Sequence, residues 1–435
     1  MAHWKMKLSA LLAASAMVAG CGGGSGAPLG APDSTEDSGP ADLGGEDLKG
    51  EPIKVGFLVD QTGALADYGH AHRVVGEAAA RRINENGGID GRPIELVIAD
   101  TESDPSAATP RARQLVESEN VDFLLGSNTS GVVLAVAGVA KETETVYFAT
   151  AGGALLGTPA NANRYVFDFN TNVRQETNGA ADFIKNETDA TKWGTVVADY
   201  AWGWDQEKSF AAAAKSTGLT VDEQIRAPLG TSDFLGYLRG GLAEDTEGVY
   251  FANFGTDFLA FIRDLNATHP DIVKVGGNYV LAGQEIADLG DAAEGTYVVS
   301  GYPQSSAAMD SEYDKEYRAA IGMDDQGRET KTGSYLVASY QWSTWESLNA
   351  IKAVAEETGW KSSADTMEFI KALEGHEFEE SADFPSGSKH FRPEDHVSVK
   401  DIWMEEIKDG DLTIGTRIPA EAMLYEPMID YTAED

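Results

Sequence analysis

The sequence predicts an α/β protein built as two doubly wound parallel-sheet lobes. Three observations predict it. Short apolar runs alternate with amphipathic helical patterns. The connections between them are short, as when a parallel sheet is covered on both faces. The alternating series then starts afresh near Arg174, so two comparable units follow one another. A chain of 435 residues, 42% hydrophobic, can supply two separate cores.

The amino terminus reads as an export signal over residues 1–20. Lys5 and Lys7 give a short basic head, and the apolar run 8–18 is too short to span a bilayer. Val18-Ala19-Gly20-Cys21 resembles the lipobox of bacterial and archaeal lipoproteins, in which the cysteine is lipidated and becomes the first mature residue. An ordinary signal peptide that happens to contain a cysteine is the alternative. Cys21 is the only cysteine, so no disulfide supports the fold. Residues 21–50 read as the lipidated cysteine and a flexible acidic, Gly-rich tether. No later segment is long and apolar enough for a membrane-spanning helix, which leaves the lipid as the expected anchor.

The body begins at Ile53. Residues 53–60 read as a buried strand. A Gly-containing loop follows, then a helix with Val74, Val75, Ala78, Ala79 and Ile83 on one side. That helix stops at Asn86-Gly87-Gly88. Strands are expected at 94–100, 121–126 and 146–150, with helices at 105–118 and 130–143 between them. In the second series the strands are 194–199, 220–226, 248–251 and 273–276. Its helices begin near Arg174, Asp205, Phe234 and Thr256. Residues 311–373 read as mostly helical.

Aspartate and glutamate number 71 against 33 lysines and arginines, a net charge of −38. Such a surface is a poor partner for nucleic acid. It suits either life in high salt or attraction of a cationic ligand. The acids are spread along the chain, which favours the first.

In a parallel sheet, ligands bind beyond the carboxyl ends of the strands. Gly126-Ser127-Asn128-Thr129-Ser130-Gly131 joins a strand to a helix, and its exposed N–H groups and hydroxyls suit a carboxylate. Ser130 is equally a candidate helix cap. Ala151-Gly152-Gly153 offers bare backbone, or a plain turn. Asp199-Tyr200-Ala201-Trp202-Gly203-Trp204 puts three rings at a strand mouth, with Tyr200 and Trp202 expected in the cleft and Trp204 on its own helix. Phe254, in Asn253-Phe254-Gly255-Thr256, is similarly placed.

These motifs, in order, resemble the type I periplasmic solute-binding proteins, specifically the leucine/isoleucine/valine-binding branch. The likeness runs from Ile53 to at least Trp403. It rests on Thr62-Gly63, Tyr68-Gly69, Ile83-Asn84, Gly87-Gly88-Ile89, Gly91, Gly126, Ser130, Ala151, the run 199–203 and Ala293-Glu294-Gly295. The resemblance implies two lobes joined by three crossings, near 168–171, 298–302 and 392–401, with a ligand cleft between them. Lobe 1 would comprise 51–170 plus 302–392, and lobe 2 would comprise 171–301 plus 402–435.

The resemblance also implies the site. Tyr68, Ser130, Ala151, Gly152 and Gly153 would face the ligand from lobe 1, and Trp202, Phe254 and Asn278 from lobe 2. Two positions depart from the amino-acid-binding pattern. Gly153 stands where a Thr or Ser is common, and Asn278 stands where an acid binds the α-ammonium. Either Asp199 or Asp257 substitutes, or the ligand lacks that charge and is a small carboxylate, amide or aromatic acid stacked on Trp202 and Phe254.

The implied role is capture of a small-molecule solute for an ABC permease and ATPase complex, with no cofactor and no metal. A ligand-sensing receptor for a signalling partner would use the same cleft. A hydrolase is disfavoured by the absence of a Gly-x-Ser-x-Gly elbow or a His-Glu-x-x-His pair. His70 and His72 would point to different sides of a helix, against a metal site. The other histidines are expected on the surface, and Glu377, Glu379 and Glu380 on a solvated face.

Overall fold

A computed structural model describes residues 42–150, 156–277, 286–304, 311–333, 336 and 340–434. Cys21, Ala151, Gly152, Gly153 and Asn278 lie outside the described residues, as do the export segment and most of the tether.

Five strands form the first sheet: β1 (Ile53–Val59), β2 (Ile94–Asp100), β3 (Phe123–Gly126), β4 (Tyr147–Ala149) and β5 (Val166–Asp168). All are parallel, in the order β2-β1-β3-β4-β5. Helices α1 (Ala66–Glu85), α2 (Pro105–Glu117) and α3 (Ser130–Thr143) connect the first strands. Strands β1, β3, β4 and β5 are buried on both faces, which suits their mostly apolar runs, whereas the edge strand β2 is only partly buried and carries Glu95 on its exposed side. Val55, Phe57, Phe123 and Leu125 enter one core with α1, and Leu58, Leu124 and Tyr147 enter another with α2 and α3. Asp104 caps α2 by accepting from Ser106 N at 2.6 Å, with Pro105 in the first turn.

The chain then leaves this sheet. Helix α4 (Val173–Glu187) opens on a capping box between Asn172 and Gln175. Strands β6 (Lys192–Ala198), β7 (Thr220–Ala227), β8 (Gly248–Ala252), β9 (Val273–Gly276) and β10 (Thr296–Ser300) follow. Between them lie α5 (Ala201–Thr217), α6 (Leu235–Gly241) and α7 (Gly255–Thr268). Helices α8 (Glu312–Ile321), α9 (Trp342–Thr358) and α10 (Thr366–Gly375) return to the first core, where Tyr317, Trp345, Leu348 and Phe369 meet Phe57 and Phe123. Residues 322–333, expected to be helical, form turns instead, opened by Gly322 at φ +70°.

A small antiparallel sheet of β11 (Glu377–Phe378), β12 (Lys389–Phe391) and β13 (Ser398–Val399) follows. On α9, fully buried Glu346 accepts from Lys389 Nζ at 2.7 Å and Ser386 N at 3.0 Å, tying β12 to that helix. Strands β14 (Ile402–Lys408) and β15 (Asp411–Ile418) and the short helix α11 (Ala420–Met423) complete the fold.

The second sheet runs β15-β14-β10-β9-β8-β6-β7. It departs from the all-parallel expectation at one edge, where β14 pairs antiparallel with β10 and β15. Asp409 and Gly410, at φ +53° and +78°, make the tight turn of that hairpin. Near the passages between the two sheets, Asp168 forms a parallel bridge with Val397. The chain's last stretch turns back from the second sheet: Tyr431 N donates to Glu394 O, and the Tyr431 hydroxyl accepts from Asn163 N at 2.6 Å. His396, expected on the surface, is buried, and so is His72 on α1. His396 contacts the Val166 carbonyl and Glu374, and His72 lies in the first core region beside Thr344.

Candidate ligand-binding site

The strand ends of the two sheets are built alike. In the first, a Cβ on Gly69 would lie 1.9 Å from the Asp60 carbonyl oxygen. Only glycine lets the first turn of α1 settle on the end of β1, and this brings Tyr68 to the strand mouth. In the second, a Cβ on Gly203 would lie 1.9 Å from the Ala198 carbonyl oxygen. The first turn of α5 settles on the end of β6 in the same way, and Trp202 is brought to that mouth.

Beyond β3 the loop leads into α3. Thr129, not Ser130, is the cap: its Oγ1 accepts from Val132 N at 3.2 Å. This corrects the capping alternative for Ser130 and leaves its hydroxyl available to the cleft. Phe254 directly precedes α7 at the end of β8.

Leu65, Tyr68, Asn128, Thr129, Ser130 and Tyr340 on the first-sheet side, and Tyr200, Trp202 and Phe254 on the second-sheet side, line one hollow of about 420 Å³ including its open part. Five sequence-predicted residues, Tyr68, Ser130, Tyr200, Trp202 and Phe254, therefore meet on one hollow. Asn128 and Thr129 were within reach of the sequence, because they sit in the strand-to-helix loop that contains Ser130. Tyr340 carried no such signal.

The walls differ in chemistry. Tyr200, Trp202 and Phe254 form an aromatic corner. Trp202 and Phe254 have centroids 6.0 Å apart at 69°, Tyr200 and Phe254 6.4 Å at 75°, and Tyr200 and Trp202 6.0 Å at 37°. Opposite, Tyr68 and Tyr340 lie 5.4 Å apart at 30°. Behind Tyr340, His72 has its ring centroid 5.2 Å away and its Nδ1 2.6 Å from Thr344 Oγ1. Burial pushes the His72 imidazole down to about 3, so it is neutral at physiological pH.

Several polar atoms at the hollow lack partners. Trp202 Nε1 is buried with no acceptor, and the Asn128 amide, beside the buried Asp60, makes no hydrogen bond of normal geometry. Buried donors of this kind are costly unless something satisfies them. None of the nine lining residues carries a charge at neutral pH, since burial raises the Tyr68 and Tyr200 hydroxyls further above their usual range. The two acids expected to substitute for a missing counter-charge are engaged elsewhere. Asp199 Oδ1 accepts from Trp204 Nε1 at 2.8 Å, and Asp257 Oδ2 accepts from Gly230 N at 2.8 Å. Trp204 itself is 45% exposed with Arg226 over its ring, rather than packed down on its helix.

Two sheets whose strand tips meet around one uncharged, donor-bearing hollow define a cleft-type binding protein. A family profile described as periplasmic binding protein matches residues 52–411, and the chain belongs to that family. It is accordingly a binding protein and not an enzyme, and membership implies an exported protein. The chain is 24% identical over 384 residues to Leu/Ile/Val-binding protein homolog 6 of Brucella melitensis, covering 87% of this chain and 93% of that protein. Among solved structures it is similar to an ABC transporter solute-binding protein of R. palustris in complex with benzoate. There the TM-score is 0.70 and the identity 22%, over 85% of this chain and 97% of that one. It is also similar to a leucine-binding protein from Thermotoga maritima, with TM-score 0.71 and identity 17%, over 85% and 99% of the two chains.

Proposed function

We propose that this protein is the extracytoplasmic, lipid-anchored receptor of an ABC importer. It captures a small solute with a carboxylate or amide head between its two lobes and delivers it to a permease and ATPase complex. The observation that carries the reading is that Tyr68 and Ser130 from one sheet and Trp202 and Phe254 from the other line the same hollow. Ser130, Asn128 and the indole N–H of Trp202 supply donors for the head, and the rings take the apolar body. Ala151, Gly152, Gly153 and Asn278 complete the proposed site. Lipidation of Cys21 supplies the anchor. The names of the relatives support the transport role.

A solute that bridges the lobes stabilises the closed form by mass action. A thermal-shift screen over several hundred metabolites, run on the wild type and on a Ser130→Ala, Trp202→Ala double variant, tests the site. The right solute raises the melting temperature of the wild type much more than that of the variant. Equal shifts in both proteins would mean that the solute binds elsewhere.

A further inference from the structure

We infer that the solute held in this hollow is a zwitterion whose nitrogen carries no N–H, a quaternary ammonium carboxylate of the betaine class. The inference rests on the receptor reading above, since it requires the hollow to be the solute site.

The first argument is the shape of the aromatic wall. Five of the nine lining residues are aromatic: Tyr68, Tyr200, Trp202, Phe254 and Tyr340. On the second-sheet side Phe254 stands across the planes of Trp202 and Tyr200, at 69° and 75°. Such a corner presents rings in different directions. A round trimethylammonium group can touch several rings at once there, whereas a flat solute stacks on one. A cation within about 6 Å of ring centroids is attracted by their negative faces.

The second argument is the lack of a counter-charge among the described residues. Neither Asp199 nor Asp257 lines the hollow, and each turns one carboxylate oxygen to another group, the Trp204 indole and the Gly230 amide. Asp60 lies behind Asn128, bonded to Thr101, and its burial favours the neutral form. A primary ammonium brings three N–H donors, each needing an acceptor. A trimethylated nitrogen brings none, and its charge is met by the rings alone.

The third argument concerns the other end of the solute. The Trp202 indole N–H is buried without a partner, and Ser130 and Asn128, the latter beside Asp60, line the same hollow. These donors suit a carboxylate. The protein's net charge of −38 repels a simple carboxylate anion such as benzoate but not a net-neutral zwitterion.

Calorimetric titration of the full chain in detergent tests this, using trimethylglycine, tert-butylacetate, glycine, leucine and benzoate as probes. Tert-butylacetate has the shape of trimethylglycine with carbon in place of the charged nitrogen. Trimethylglycine is expected to bind at least about tenfold more tightly than tert-butylacetate, the scale of a desolvated cation–ring contact. Glycine is expected to give no heat. Trp202→Leu, and independently Phe254→Leu, should each weaken trimethylglycine by about tenfold while tert-butylacetate changes less. If tert-butylacetate, benzoate or leucine binds as tightly as trimethylglycine or more so, the inference is overturned and the receptor reading stands. If no probe binds and no solute in the thermal screen depends on Trp202, the hollow is not the site and both fall.

Discussion

The rings of Trp202 and Phe254 meet at 69° with centroids 6.0 Å apart, although they come from different strand ends. They meet because β6 and β8 are neighbours in the second sheet, with Val197 opposite Ala252. Trp202 follows the first strand by a few residues and Phe254 follows the second. A parallel sheet thus converts sequence separation into a shared wall, and the glycine after Trp202 sets how close that wall stands to the strand tips.

Gly203→Ala should weaken both folding and binding. The added methyl would lie 1.9 Å from the Ala198 carbonyl oxygen, so the start of α5 must shift and carry Trp202 with it. The expected loss is about 2 kcal/mol in urea denaturation. Any ligand-induced rise in melting temperature should shrink with it. Gly236→Ala, on α6 with nothing near its Cβ position, is the control and should be neutral or slightly stabilising.

Glu346→Gln should cost about 3 kcal/mol, because it leaves the Lys389 ammonium buried without its carboxylate. Lys389 and Glu346 are both fully buried, so solvent cannot compensate. Replacing both by apolar residues of similar size should recover much of the loss. A double variant as unstable as the single one would show that the Ser386 amide contact, rather than the ion pair, carries the effect.

Stability should fall as pH rises from about 4 to about 7. Burial raises Asp168 from 3.8 to about 7 in the folded chain, and Glu405 from 4.5 to about 7. Across that window the folded state holds protons that the unfolded chain has released, so the contribution is full at low pH and is lost as pH passes 7. Asp168→Asn should flatten part of this slope and stabilise the protein at pH 8 by on the order of 2 kcal/mol. Denaturation midpoints across the pH range give the answer. A variant with an unchanged slope would mean that Asp168 is already ionised in the fold.

Salt should stabilise the protein. With 71 acidic and 33 basic residues, the folded chain compresses like charges. Raising KCl from about 0.1 M to about 1 M shortens the range of their repulsion from about 10 Å to about 3 Å. The melting temperature should therefore climb by several degrees. A flat or falling response would argue that the acids are locally neutralised.

Much of this was legible in the chain itself. Residues 94–100, 130–143 and 273–276 stand as strand, helix and strand with the bounds expected of them. Long apolar runs and glycine stops mark such elements without help from distant neighbours. Ser130, Trp202 and Phe254 could be named because they stand where a strand gives way to a helix, and Tyr68 because the family resemblance implied it. Tyr340 could not, because it reaches the hollow only when the chain returns to the first core after β6 to β10 of the second sheet. Strand β5 and the strands of the small sheet are too short to show a period. The hairpin of β14 and β15 is different: Asp409-Gly410 between alternating apolar residues is a strong local turn signal, and it joins an antiparallel pair at the edge of an otherwise parallel sheet.

The unpartnered indole of Trp202 also makes the protein its own optical gauge. Its N–H is buried without an acceptor, on the wall where a solute is proposed to sit. A carboxylate drawn against it would change the polarity around that ring and hence its ultraviolet emission. Occupancy could then be followed in real time and without a dye, with Trp202→Phe as the blank that removes the signal.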